Sequence, residues 1–246
     1  MNNLREVFQK YAAVVFFDTE TTGLDAKTCQ IIELAAIRIE QTDRGTLRMA
    51  ASLDEFIRLP EGEKLPEQIT KLTGITDEML EKQGLDEDDV VCDFETLLDD
   101  TAGPVLLAAH NAQFDLLFTQ AMAGRYDRPC AELLARADYL DTLTVYKDRR
   151  DYPHKLENAI AAYNLEGKVR NTHRAIDDVK ALFEVCRAMD DERADLLEYV
   201  NTFGYNPKYG VSGQRIEKVS YWPQRFNKYM QPPGDTLPAL MKKRRK

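Results

Sequence analysis

Cysteine is scarce in this 246-residue chain. Its four copies, Cys29, Cys92, Cys130 and Cys186, form no Cys-x-x-Cys pair, which argues against a cysteine zinc site or a disulfide framework. Reduced thiols in a cytoplasmic setting are expected instead. Nowhere do about 18 uncharged apolar residues run together, so no membrane span and no membrane partner is expected. The opening Met1-Asn2-Asn3-Leu4-Arg5-Glu6 lacks the charged-then-apolar order of a secretory signal. Apolar residues make up 43% and charged residues 30%, the balance of a folded enzyme rather than a fibrous or disordered chain. The length suits one sizeable domain, or one with an appendage.

Positive charge is also short over most of the chain. The net charge is −9, yet residues Asn201 to Lys246 hold ten Lys/Arg against two Asp/Glu, leaving −17 on the first 200. An acidic body repels nucleic acid unless cations intervene, whereas a basic, aromatic tail attracts it. The closing Lys242-Lys243-Arg244-Arg245-Lys246 reads as a solvated terminus.

Val14-Val15-Phe16-Phe17 reads as a buried strand. Ile31–Glu40 and Ala50–Leu59 are a second and third, and the short links between them suggest an antiparallel meander. A helix starting at Pro66 and closing at Gly74 follows. Val91, Phe94, Leu97 and Leu98 share a helical face within Val90–Asp99. Pro104–Ala109 reads as a buried strand, Phe114–Arg125 as a helix, and Tyr139-Leu140 as a fifth strand. Two more helices are expected, at Leu156–Tyr163 and Ile176–Met189. A meander followed by alternating helices and strands implies a mixed sheet with helices against it. Beyond about Asp190, frequent Gly and Pro mark an extension, so the expected division is 1–190 and 191–246.

The chemistry is carried by acids. Asp18 and Glu20 end the first strand in Phe17-Asp18-Thr19-Glu20-Thr21-Thr22-Gly23-Leu24. At i and i+2 they share a face, and two adjacent carboxylates repel unless a cation sits between them. They also read as two surface acids. Asp115, in His110-Asn111-Ala112-Gln113-Phe114-Asp115, falls in the first turn of a helix, where it suits a metal or simply the helix dipole. Asp178 follows His173 by five residues at another helix start, where capping is the plain alternative.

These three segments together resemble the motifs of the DEDDh group of 3′–5′ exonucleases, which includes the proofreading (epsilon) subunit of bacterial DNA polymerase III. Leu72-Thr73-Gly74-Ile75-Thr76 resembles a connecting segment of the same group. The resemblance spans roughly Val14 to Arg187. It implies an α/β, ribonuclease H-like fold, a five-stranded mixed sheet with helices on both faces, followed by the extension. It implies that Asp18, Glu20, Asp115 and Asp178 hold two Mg²⁺ or Mn²⁺ ions, with Asp18 bridging them, and that His173 is the general base. Hard cations prefer such oxygen donors, and paired ions about 3.5–4 Å apart suit in-line phosphodiester hydrolysis. On this reading Thr21 and Leu24 meet the terminal nucleotides, as do Asn111 and Phe114, although Asn111 also suits a helix cap and Phe114 ordinary core packing. His110 is expected to brace the loop that presents Asp115.

The resemblance therefore implies release of 5′-mononucleotides from single-stranded or frayed DNA 3′ ends, in proofreading or repair. RNA trimming is the near alternative, and a noncatalytic nucleic-acid or polymerase interaction module is the more distant one. In the extension, Tyr205, Tyr209, Tyr221, Trp222, Phe226 and Tyr229 lie among Lys208, Arg215, Lys218, Arg225 and Lys228. That mixture suits a clasp packed on the domain, single-strand binding, or docking to a polymerase subunit. It lacks the long flexible tether expected of the epsilon subunit.

Overall fold

A first strand buried on both faces organises the molecule. A computed structural model describes residues 4–169, 174–224 and 236–244. The elements run α1 (Arg5–Lys10), β1 (Ala13–Thr21), β2 (Ile31–Gln41), β3 (Leu47–Phe56), α2 (Glu67–Thr73), α3 (Asp77–Gln83) and α4 (Glu87–Leu97). Then come β4 (Val105–Ala109), α5 (Ala112–Ala123), α6 (Cys130–Arg136), β5 (Asp138–Asp141), α7 (Thr142–Arg149), α8 (Leu156–Ala162) and α9 (Ala175–Glu192). A 3₁₀ turn (Leu196–Tyr199), β6 (Thr202–Tyr205), β7 (Ser220–Pro223) and α10 (Leu237–Arg244) complete the described chain.

The five-stranded sheet has the order β3-β2-β1-β4-β5. The first three strands form the antiparallel meander, while β1, β4 and β5 run parallel. This is the mixed, ribonuclease H-like sheet implied by the motifs. Both faces are covered. Ala13, Val15 and Phe17 pack with α4, α5 and α6 through Phe94, Leu116, Met122 and Leu134. Val14 and Phe16 pack with α1, α7, α8 and α9 through Val7, Val145, Ile160, Val179, Leu182 and Val185. The α9 residues recur at helical spacing, which turns one stripe of that long helix to the sheet.

Several boundaries differ from expectation, two of them for instructive reasons. β3 spans Leu47–Phe56 rather than Ala50–Leu59, because Leu47 already pairs with Gln41. Being an edge strand with mostly exposed side chains, it gives a weak alternation signal. Pro66 caps α2 rather than opening it, while Gly74 ends the helix at φ 75°, as its backbone freedom allows.

The described part of the extension is packed on the body. Leu196, Tyr199 and Leu237 join the α9-side core, and Phe203, Ile216 and Val219 join the α5-side core. Phe226 and Tyr229, with Arg225 and Lys228, lie outside the described residues. No helix among the described residues is long and apolar enough to cross a membrane.

Candidate active site

The site grows from strand parity at the end of β1. Asp18 and Glu20 continue the face of Val14 and Phe16, toward α9, which packs on β1. Asp178, in the first turn of α9, meets them there. Carboxylate oxygens of Asp18, Glu20 and Asp178 all lie within 4.8 Å of one another. Thr19 points the other way, where buried Asp115 of α5 reaches it. Asp115 Oδ1 accepts from the Thr19 amide at 3.1 Å and the Thr19 hydroxyl at 2.8 Å. Parallel pairing of β1 with β4 sets the two carboxyl ends side by side. The chain leaves β1 toward one edge and β4 toward the other, the kind of switch point where α/β sheets bind ligands.

This convergence is electrostatically unfavourable by itself. Burial first, then Asp115, Asp178, Glu20 and Glu33, hold the Asp18 carboxyl well above the usual range. Glu20 is pushed up to about 8 by burial and then by Glu33, Asp178 and Asp115. Asp115 rises to about 7 through burial, against the lowering effect of its Thr19 bonds. Carboxylates that resist ionisation when metal-free are suited to bind a hard divalent cation, because the cation supplies the missing countercharge. The donor set therefore fits the cations implied by the motifs.

Two acids and their partners support this cluster, and a third anchors the start of the chain. Glu33, fully buried on β2 opposite Glu20, accepts from Arg174 Nε at 2.8 Å and from the Ala175 amide at 3.2 Å. It thereby fastens the start of α9 to the sheet. Its signal was an acid within the apolar run Ile31-Ile32-Glu33-Leu34-Ala35. Asp141, at the end of β5, accepts from the amides of Asn111 and Ala112 and also from those of Leu143 and Thr144. One carboxylate thus caps both α5 and α7. Asp190, in the last turn of α9, accepts from the Leu4 amide and ties down the N-terminal segment.

The remaining predicted residues fall around this centre. His110 braces its loop as expected: Nε2 bonds the His154 carbonyl at 2.9 Å and Nδ1 the Thr142 hydroxyl at 3.0 Å. A groove of about 460 Å³ beside it is lined by Asp18, Asp178, Asn111, Lys147 and Tyr152, among others. Asn111 is exposed and left-handed (φ 79°). Its side chain makes no capping bond, so the helix-cap alternative for Asn111 is corrected: Asp141 does that work. Buried Thr21 donates its hydroxyl to the Gly23 carbonyl at 2.6 Å, shaping the turn that leaves Leu24 88% exposed. Phe114 is half-buried, stacks obliquely on Phe118 at 4.8 Å and lines a second groove. His173 lies outside the described residues.

The family model described as exonuclease (RNase T) matches residues 15–186. The chain belongs to this exonuclease family. It is 33% identical over 213 residues to the PolC-type DNA polymerase III of Latilactobacillus sakei, covering 85% of this chain and 13% of that protein. It is 34% identical over 207 residues to the Bacillus subtilis counterpart, with 82% and 13% covered. The chain thus spans about an eighth of those polymerases. The DNA polymerase III epsilon subunit of Treponema pallidum is 28% identical over 181 residues, covering 73% of this chain and 77% of that one. Among solved structures, E. coli exonuclease I in complex with a dA16 oligonucleotide shares the fold at TM-score 0.61 and 19% identity, over 76% of this chain and 42% of that one. Cell-death related nuclease 4 does so at 0.59 and 16%, over 74% and 65%. The resemblance to DEDDh exonucleases is borne out, and the domain is that of a nuclease hydrolase whose family uses divalent metals.

Proposed function

We propose that the chain is a metal-dependent 3′–5′ exonuclease that removes 5′-mononucleotides from single-stranded or frayed DNA ends. One observation carries the reading: three carboxylates from β1 and α9 converge within 4.8 Å, and a fourth, Asp115, reaches the same strand from the opposite face. Asp18, Glu20, Asp115 and Asp178 would hold two Mg²⁺ or Mn²⁺ ions. Bound there, the ions acidify the attacking water and stabilise charge on the leaving oxygen.

The other tasks fall to the chain's own groups. His173 accepts the proton from the attacking water. Water oxygen bonds to phosphorus, the P–O3′ bond breaks, and the shortened strand leaves with a new 3′-hydroxyl. His110 and His154 are each engaged by backbone carbonyls, which supports giving the base role to His173. Asn111 and Thr21 border the terminal nucleotide, while exposed Leu24 and the Phe114 ring offer sequence-tolerant apolar contact. The extension, residues 191–246, serves as a clasp on the exonuclease domain, residues 1–190. The names of the polymerase III relatives support a cytoplasmic role in DNA replication or repair beside a polymerase partner.

Purified protein with Mg²⁺ is expected to shorten single-stranded DNA and mismatched duplex from the 3′ end, and to lose activity in EDTA. Faster release from matched RNA would redirect the assignment to RNA trimming. Intact 3′ ends with both Mg²⁺ and Mn²⁺ would leave only a binding module.

A further inference from the structure

A second groove, about 930 Å³, runs along α5 away from the carboxylates. Asn111 borders both this groove and the one at Asp18 and Asp178, so the two adjoin at that residue. Its floor is apolar, formed by Leu24, Phe114, Leu117 and Phe118. Lys27 stands on one rim, and Arg215 stands on the other, within a wall contributed by the extension at Ser212-Gly213-Gln214-Arg215.

That wall is built into the body. Buried Gln113, two residues before Asp115, donates to the carbonyls of Ser212 at 3.1 Å and Gln214 at 2.6 Å, and its own Oε1 accepts from the Tyr221 hydroxyl at 2.6 Å. The Tyr221 hydroxyl also receives the Ile216 amide. Gly213 has φ +70°, and a Cβ there would meet Leu117 Cδ1 at 2.7 Å, so the wall approaches α5 as closely as a residue without a side chain allows. Arg215 lies over the Tyr221 ring, 4.9 Å from its centre, which holds an exposed cation in place. Asp25, the acid in this groove, accepts from the Lys27 amide within its own turn.

We propose that this groove is a track for a single nucleic-acid strand, with Arg215 and Lys27 on backbone phosphates and the apolar floor under the bases. The inference rests on the exonuclease reading and extends it to surface that the motifs do not supply. Apolar floors flanked by cations suit sequence-tolerant single-strand binding. A wall held by the extension gives the acidic body a local positive rim where the strand enters.

The test is fluorescence anisotropy of a labelled oligothymidylate with the full chain in EDTA, across a range of salt, so that binding is read without hydrolysis. Arg215→Glu and Lys27→Glu should each bind about tenfold more weakly at low salt, the loss of one charge-assisted contact. Each should also flatten the log–log salt slope by roughly 0.7. Arg48→Glu makes the same charge change at the opposite end of the sheet, where Arg48 pairs with Glu40, and should leave both unchanged. Equal slopes in Arg215→Glu and wild type, or an equal loss in Arg48→Glu, overturn the track. If binding depends on Arg215 but wild type with Mg²⁺ or Mn²⁺ hydrolyses nothing, the exonuclease reading falls and the track stands.

Discussion

Glu20→Gln should make the metal-free protein more stable while removing a proposed metal ligand. The Glu20 carboxyl titrates near 8 when folded, against 4.5 ordinarily. Between those values the folded state binds more protons than the unfolded one, so wild-type stability in EDTA falls as pH rises through this window and the loss is complete above it. At ~1.4 kcal/mol per pH decade the limit is about 5 kcal/mol; Glu20 keeps a partly exposed face, and solvent screening brings the expectation to about 2 kcal/mol. For a chain of this size that is a rise in Tm of roughly 4–8 °C for the variant. Thermal melts in EDTA should show this gain at pH 9 and almost none at pH 5, where folded wild type already carries the proton. Mg²⁺ should raise the wild-type Tm by mass action and the variant's far less. Equal melts at pH 9, or an equal response to Mg²⁺, would refute the claim that burial and then neighbouring carboxylates hold Glu20 against ionisation until metal binds.

Arg174→Ala leaves the Glu33 carboxylate buried without its cation, which should cost about 3 kcal/mol. Adding Glu33→Gln should recover most of that loss in the same melting assay. Asp141→Ala uncaps α5 and α7 together and should cost roughly 2–4 kcal/mol at about 1–2 per cap. Asp141→Asn should lose less, since its carbonyl oxygen still accepts. His173→Ala should retain metal and oligonucleotide binding, measured by calorimetry and anisotropy, while turnover falls about 10²- to 10⁴-fold; near wild-type rates would remove His173 from the base role.

The catalytic sheet was legible because β1, β2 and β4 are dense in β-branched and apolar residues, and because Asp18 and Glu20 sit at a strand's end, where period-two geometry already pairs them. The helix α9 was legible from its apolar stripe. The helices α1, α3, α6, α7 and α10 were not. In α7, Thr142 and Thr144 turn inward beside Val145 and Tyr146, so polar residues occupy buried positions and blur the periodicity. Its start carries one local signal, Asp141 as the N-cap of the Leu143 and Thr144 amides, but that residue's further bonds to amides 29 and 30 positions earlier leave no local signature. Glu33 was visible as an acid in an apolar run, but its partner Arg174 is 141 residues away. The extension's buried residues, from Leu196 to Leu237, follow neither helical nor strand spacing, because they are divided between two cores.

The residue between the two strand acids sets a sharper test of how both faces cooperate. Thr19 faces away from Asp18 and Glu20, and it holds Asp115 through both its amide and its hydroxyl. Thr19→Val keeps shape and backbone but removes the hydroxyl donor. Because that bond favours the ionised carboxylate and lowers its pKa, its loss should move the Asp115 carboxyl further above about 7. Protons then compete more effectively with metal, so the pH of half-maximal Mn²⁺ binding should move upward, by about one unit if the bond is worth roughly 1.5 kcal/mol. Calorimetry across pH 6 to 9 would read the midpoint directly, and a thermal melt at pH 6 would report any general loss of fold. An unmoved midpoint in a folded variant would mean that the Thr19 amide and α5 hold Asp115 without the hydroxyl, and that the hydroxyl does not tune the carboxylate from the opposite face.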